Sequence, residues 1–332
     1  MILNLTENHP EAVEFFEREL ASFVPGRVFD AHAHLFPPSD HRPRPKVTKL
    51  VDQPVSYDEY QRYIHWQLPG RDVSALFIAF SYTGEEAPEA NAWVARQVSE
   101  HRDCRGLFFA RPDDDPEWVR QEVKRLGLHG LKCYASYAKC ESYWQADIPD
   151  YLPEPMVRVA HEEGWPITLH LVKSRALADP SNNYWVRRYC EKYPDMKLIL
   201  AHSARGFNPA HNLEGLSKLQ GLGNLYFDAS VNCEMLAHAS IIKLMGHERL
   251  MYGSDLVTPS SIRGRNMAAN DGFVWVYEDC SAWDGAHGHV EPVLVGLEQL
   301  RSLKWACWTL GLNDSQVEDI FLNNAARLFE LD

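Results

Sequence analysis

Short apolar runs of strand length recur along this chain, with helix-patterned segments between most of them. The runs are Val28–Leu35, Ala75–Phe80, Gly106–Ala110, Gly130–Tyr134, Pro166–Leu171, Leu198–His202, Leu225–Ser230 and Leu250–Asp255. Each has the length of a strand and the near-continuous apolar character of one buried on both faces. Pro88–Glu100 and Pro116–Leu126 begin with the Pro favoured in a first helical turn and carry apolar residues at helical spacing. Pro153–Glu163 stops at Gly164, Pro180–Lys192 precedes Tyr193-Pro194, and Glu234–Met245 stops at Gly246. Two further helical patterns, Pro292–Leu310 and Asp314–Phe329, follow the last run.

Strand and helix alternating at intervals of roughly 25–45 residues read as parallel βαβ units. Eight of them predict a (β/α)8 TIM-like barrel. Residues 1–26 read as a short helical N-terminal extension, residues 27–332 as a single barrel domain, and 256–289 as a long loop after the eighth strand. An open doubly wound sheet is less well supported, because no Gly-rich phosphate turn follows the first strand.

Composition narrows the partners. With 46 acidic against 33 basic side chains, the net charge of −13 argues against nucleic acid or an anionic membrane. The seven cysteines are scattered without a CxxC pair, which suits a reducing compartment. No basic and apolar leader opens the chain, and no apolar run approaches the roughly 18 residues of a spanning helix. The expectation is a cytoplasmic protein acting on a small molecule, with a homodimer as the commonest symmetric assembly.

Chemistry enters through the ends of the runs. His32 and His34 alternate at the end of the first, and residues two apart on a strand share a face. Two imidazoles on one face of an apolar element need ligation or hydrogen bonds. Lys132 lies near the end of the fourth run, His170 in the fifth, and His202 and Asp255 close the sixth and eighth. Functional groups of such barrels sit at these C-terminal strand ends. A second HxH, His287-Gly288-His289, has no apolar strand around it and reads as an exposed loop.

Asp30-Ala31-His32-Ala33-His34, Gly130-Leu131-Lys132, Leu169-His170, Ala201-His202, Gly253-Ser254-Asp255 and Asn323-Asn324-Ala325-Ala326-Arg327-Leu328-Phe329 together resemble the amidohydrolase superfamily, most closely its amidohydrolase family 2 branch. The resemblance runs from about Val28 to Phe329. It implies a distorted barrel whose mouth holds a metal, and both hydrolases and non-oxidative decarboxylases occur in the family. It also implies His32, His34, His170 and Asp255 as ligands of one Zn2+, with His202 and Asp255 moving protons. Mn2+ and a binuclear site bridged by a carboxylated Lys132 are the alternatives. Lys132, Tyr134, Arg205 and Arg263 are the candidate substrate contacts, a planar guanidinium suiting a carboxylate. The ring-dense segment Tyr134–Tyr151 suits either a flat ligand or simple packing, and 256–289 reads as a lid.

The expected function is a metal-dependent hydrolase of a small amide, lactone or ester. The alternative is a metal-dependent decarboxylase of an aromatic or unsaturated acid, and a non-catalytic metal-binding barrel is the third reading.

Overall fold

The computed structural model describes residues 9–37, 54–79, 87–257, 259–285 and 288–331. Eight parallel strands follow in chain order, each pairing with the next: β1 (Arg27–Leu35), β2 (Asp72–Ala79), β3 (Arg105–Phe109), β4 (Leu131–Cys133), β5 (Pro166–Leu169), β6 (Lys197–Leu200), β7 (Leu225–Asp228) and β8 (Leu250–Met251). The segment after β8 returns to β1 through three backbone hydrogen bonds: Ala31 N to Tyr252 O (2.9 Å), Asp255 N to His32 O (2.6 Å) and His34 N to Leu256 O (2.7 Å). The result is a (β/α)8 barrel. Two of its helices have the expected bounds, Pro116–Leu126 and Pro180–Lys192, capped by Asp115 and Asp179.

The pairing of β1 with β2 shifts register between Asp30 and Ala33, so β1 carries one extra residue there. The bulge changes which face each side chain takes. Before it, Phe29 and Ala31 pack inside the barrel with Leu76, Ile78, Leu107, Ile199 and Met251. After it, Ala33 and Leu35 join the outer core between barrel and helices. The odd residues thus pass from the inner face to the outer one, and His32 and His34 take the inner face at the mouth.

The floor of the barrel is made by the segment that reads as one helix, Asp314–Phe329. It is helical over Asp314–Glu318, widens to a π-type turn over Asp319–Asn323, and is helical again over Asn324–Phe329. Ala325, Leu328 and Phe329 plug the inner core, with Phe329 stacked on Phe29 at 5.6 Å. The Asn324 amide donates to the carbonyls of His247 and Leu250, both at 2.8 Å.

The helix Pro10–Glu19 packs Phe15 and Phe16 into the outer core of the barrel. Part of the expected long loop is ordered instead. Strands β9 (Gly264–Ala269) and β10 (Gly272–Tyr277) form an antiparallel hairpin turning on Asn270-Asp271, with Asn270 at φ 52°. The Asn208 side chain holds this tip by donating to Asn270 O and Gly272 O, each at 3.0 Å.

Candidate metal centre

Three side chains predicted from the sequence meet where β1 and the end of β8 are stitched together. His34 Nε2 lies 3.1 Å from Asp255 Oδ1, and His32 Nε2 lies 3.6 Å from the same oxygen. Burial opposes ionisation of Asp255, yet the hydrogen bond from His34 and the surrounding imidazoles hold its pKa below the usual carboxylate value. Below the cluster, buried Asp30 fixes the backbone on both sides of it. Its Oδ1 accepts from Ser254 N (2.7 Å) and His32 N (3.1 Å), and its Oδ2 from the Tyr60 hydroxyl (2.8 Å). Burial pushes the Asp30 carboxyl up to about 7.

Asp228, at the end of β7, was not among the residues singled out from the sequence. Its Oδ2 accepts from His32 Nδ1 at 2.9 Å, which leaves Nε2 of a neutral His32 as a lone pair facing Asp255. Burial is the main reason that His32 titrates only at about 4. The signal was available, since Asp228 closes the apolar triplet Leu225-Tyr226-Phe227 as the other site residues close theirs. The expected strand Leu225–Ser230 runs two residues past this carboxylate, which hides it inside the run.

His202 follows β6 in unusual backbone. His202, Ser203, Ala204 and Arg205 all have φ between 51° and 59°, a left-handed turn of four non-glycine residues. Such backbone costs about 1–2 kcal/mol per residue and persists only where surrounding contacts fix it. Here His202 N donates to Asp228 Oδ1 (3.0 Å) and the Asn232 amide to His202 O (3.1 Å). The Asn212 amide donates to Ser203 O (2.9 Å), and Ser203 Oγ pairs with His238 Nδ1 (2.9 Å). The His202 ring stands 5.1 Å from that of His32 and 5.0 Å from that of His170. Burial lowers the pKa of His202 and takes that of His170 well below its ordinary value.

Lys132 is buried among these groups, only 1% exposed. Burial brings its ammonium down to about 8, against the pull of Asp228 and Asp255. Arg205 is buried too, its guanidinium between Trp144 (5.5 Å) and Phe273 of the hairpin (5.3 Å), with Nη1 donating to Lys173 O at 2.6 Å. Among the described residues no carboxylate pairs with it. The other two candidates have partners of their own, and the Tyr134 ring lies 5.2 Å from the Lys132 ammonium. The Tyr134 hydroxyl donates to Ala79 O (3.1 Å) and its ring packs on Phe109. The Arg263 guanidinium binds Glu11 of the N-terminal helix and Pro292 O, contacts that tie the start of the hairpin to that helix.

The ring-dense segment divides between its two readings. Tyr134 and Tyr137 pack on Phe109, and Tyr151 is fully buried, whereas Tyr143 and Trp144 are exposed. Of the second HxH, His289 is exposed and paired with Asp284, and His287 lies outside the described residues.

Geometry supports a metal at the first HxH. One donor atom each from His32, His34 and Asp255 lie within 4.8 Å of one another. Ligands about 2.0 Å from a tetrahedral zinc stand about 3.3 Å apart, close to the spacings of Asp255 Oδ1 from the two imidazoles. A second convergent set, His32, His202 and Asp228, is a hydrogen-bonded network through His32 Nδ1. His170 joins neither set at that separation, although its ring lies against that of His202.

A family model described as amidohydrolase matches residues 29–331. The chain belongs to the amidohydrolase family. That family is one of enzymes. Solved structures share the fold at low identity. An amidohydrolase from Burkholderia multivorans superimposes with a TM-score of 0.62 at 13% identity, over 92% of this chain and 99% of that one. A candidate 2-pyrone-4,6-dicarboxylic acid hydrolase from Pseudomonas putida gives 0.60 at 17% identity, over 93% and 99%. The 5-carboxyvanillate decarboxylase of Sphingomonas paucimobilis gives 0.58 at 14% identity, over 93% and 100%. Among curated proteins none matches this sequence. No helix among the described residues is long and apolar enough to cross a membrane.

Proposed function

We propose that this amidohydrolase is a metal-dependent hydrolase of a small lactone, ester or amide that carries a carboxylate. The observation that carries the reading is the convergence of His32 Nε2 and His34 Nε2 on Asp255 Oδ1 at 3.6 and 3.1 Å, with the His202 ring 5.1 Å from that of His32. His32, His34 and Asp255 would hold the ion, with His170 as the fourth ligand that the family resemblance implies. Zinc is the ion expected, and manganese suits the same donors. A divalent ion held there supplies Lewis acidity and a water acidified to near neutrality.

The chain's own residues do the rest. Asp255, held ionised, accepts a proton from the attacking water and can return it to the leaving group. His202, neutral in its buried setting, acts beside it as acid and base. Lys132 and Arg205 bring two buried cations to the mouth without a carboxylate bound to either among the described residues, which favours an anionic substrate. The rings of Trp144 and Phe273 flank the Arg205 guanidinium and help to hold its orientation.

Decarboxylation of an aromatic acid is the second reading, favoured by the same cations and by the rings flanking Arg205. The test is metal analysis of the purified protein, then turnover of lactones, N-acyl amino acids and hydroxybenzoates with and without chelator. Chelator-sensitive release of an acid from a lactone or amide supports hydrolysis. Release of CO2 from a hydroxybenzoate supports the second reading, and turnover indifferent to chelator sinks both. The seven free cysteines suit a reducing, cytoplasmic setting, and a homodimer is the assembly expected.

A further inference from the structure

Ser230 lies two residues beyond Asp228, and its hydroxyl sits at the junction of the two histidines that the proposed chemistry needs. Ser230 Oγ donates to Asp228 Oδ1, the oxygen that also accepts from His202 N and Ser230 N. A hydroxyl has one proton. Two imidazole nitrogens face Oγ, His202 Nδ1 at 2.8 Å and His32 Nδ1 at 3.4 Å, and the second already donates to Asp228 Oδ2; with its own proton committed to Asp228, Oγ accepts from His202 Nδ1. The Ser230 carbonyl, an acceptor in any state, faces the same nitrogen at 3.3 Å.

We propose that Ser230 relays Asp228 to His202 and so fixes His202 as the tautomer protonated on Nδ1, leaving the Nε2 lone pair to take a proton at the mouth. Asp228 then sets two imidazoles at once, His32 directly through Oδ2 and His202 through the serine hydroxyl on Oδ1. Ser230 is a positioning residue in this scheme, because it touches neither ion nor substrate. The left-handed turn has a purpose on the same reading. It brings His202 N onto Asp228 Oδ1 while its ring reaches Ser230, a combination that ties backbone and ring to one carboxylate group.

The inference rests on His202 being the proton carrier of the proposed function, but its test needs no turnover. Full-length protein labelled with 15N-histidine, zinc-loaded and again after chelation, reports each imidazole tautomer by its long-range 1H–15N pattern, with His202→Gln identifying the signal. The expected result is a single Nδ1–H tautomer for His202, converted in Ser230→Ala to a mixture with at least a tenth of the Nε2–H form, while zinc stoichiometry stays at the native value. Ser230→Ala removes one buried oxygen and no volume that the fold needs, and Ser230→Thr should restore the single tautomer if it folds. An Nε2–H tautomer in the native protein overturns the proposal, as does a Ser230→Ala protein whose His202 signal is unchanged.

Discussion

His32 Nδ1 donates to Asp228 Oδ2 at 2.9 Å across the barrel mouth, from the first strand to the seventh. The bond holds the ring so that its other nitrogen faces Asp255, and it raises the basicity of that nitrogen as a ligand. Replacing Asp228 by Asn removes the charge while keeping the size of the side chain. Zinc affinity should fall about 10–100-fold, the usual cost of losing such a support. A competition titration against a chromophoric chelator measures it, and an unchanged affinity would remove Asp228 from the site.

Ligand and proton carrier should separate by substitution. Asp255→Ala or His34→Ala takes away a donor that converges on the ion and should leave the purified protein with little metal. His202→Asn should keep full metal content and lose about 10²–10⁴ in turnover, the range for a general acid or base. Metal analysis alongside rate decides between the roles; an Asp255→Ala protein with native zinc content would refute the ligand assignment.

Acid should destabilise the fold before most carboxylates protonate. Burial lowers the pKa of both His32 and His238 from 6.5 to about 4. Between those values the unfolded chain binds more protons than the folded one, so this contribution is complete above pH 6.5 and is lost as the pH falls towards 4. Each group can contribute up to about 3 kcal/mol at 1.36 kcal/mol per unit. The melting temperature of the metal-free protein should therefore drop steadily over that window. A flat profile from pH 6.5 to 4 would contradict the neutral, buried state of the two rings.

Arg205 offers the sharpest substrate test. Arg205→Lys keeps the charge but loses the planar fork and its stacking between Trp144 and Phe273. For a carboxylate substrate KM should rise about tenfold or more, with a smaller change in kcat, while an uncharged analogue should respond little. Equal effects on both substrates would place Arg205 in the scaffold instead.

Much of this was legible in the sequence. Each of the eight runs overlaps an observed strand, because short apolar segments between helix starts leave few alternatives. The gathering of His32, His34 and Asp255 was legible for the same reason: a parallel barrel puts strand ends side by side. The bulge after Asp30 was not, since a register shift depends on the partner strand and leaves no mark in one sequence. The hairpin over Gly264–Tyr277 was missed although Asn270-Asp271-Gly272 is a strong turn signal. The pairing of Arg263 with Glu11 was not legible either, because the two lie far apart along the chain.

The floor of the barrel has a consequence for biosynthesis. Phe329 stacks on Phe29, and Arg105 Nε donates to Phe329 O at 3.1 Å, so the earliest strands wait for a segment made roughly three hundred residues later. A nascent chain paused before Asn324 keeps Phe29, Ile78 and Leu107 open to water from below. During that interval the half-made barrel presents a sticky underside, a natural foothold for a chaperone and a hazard on a crowded ribosome.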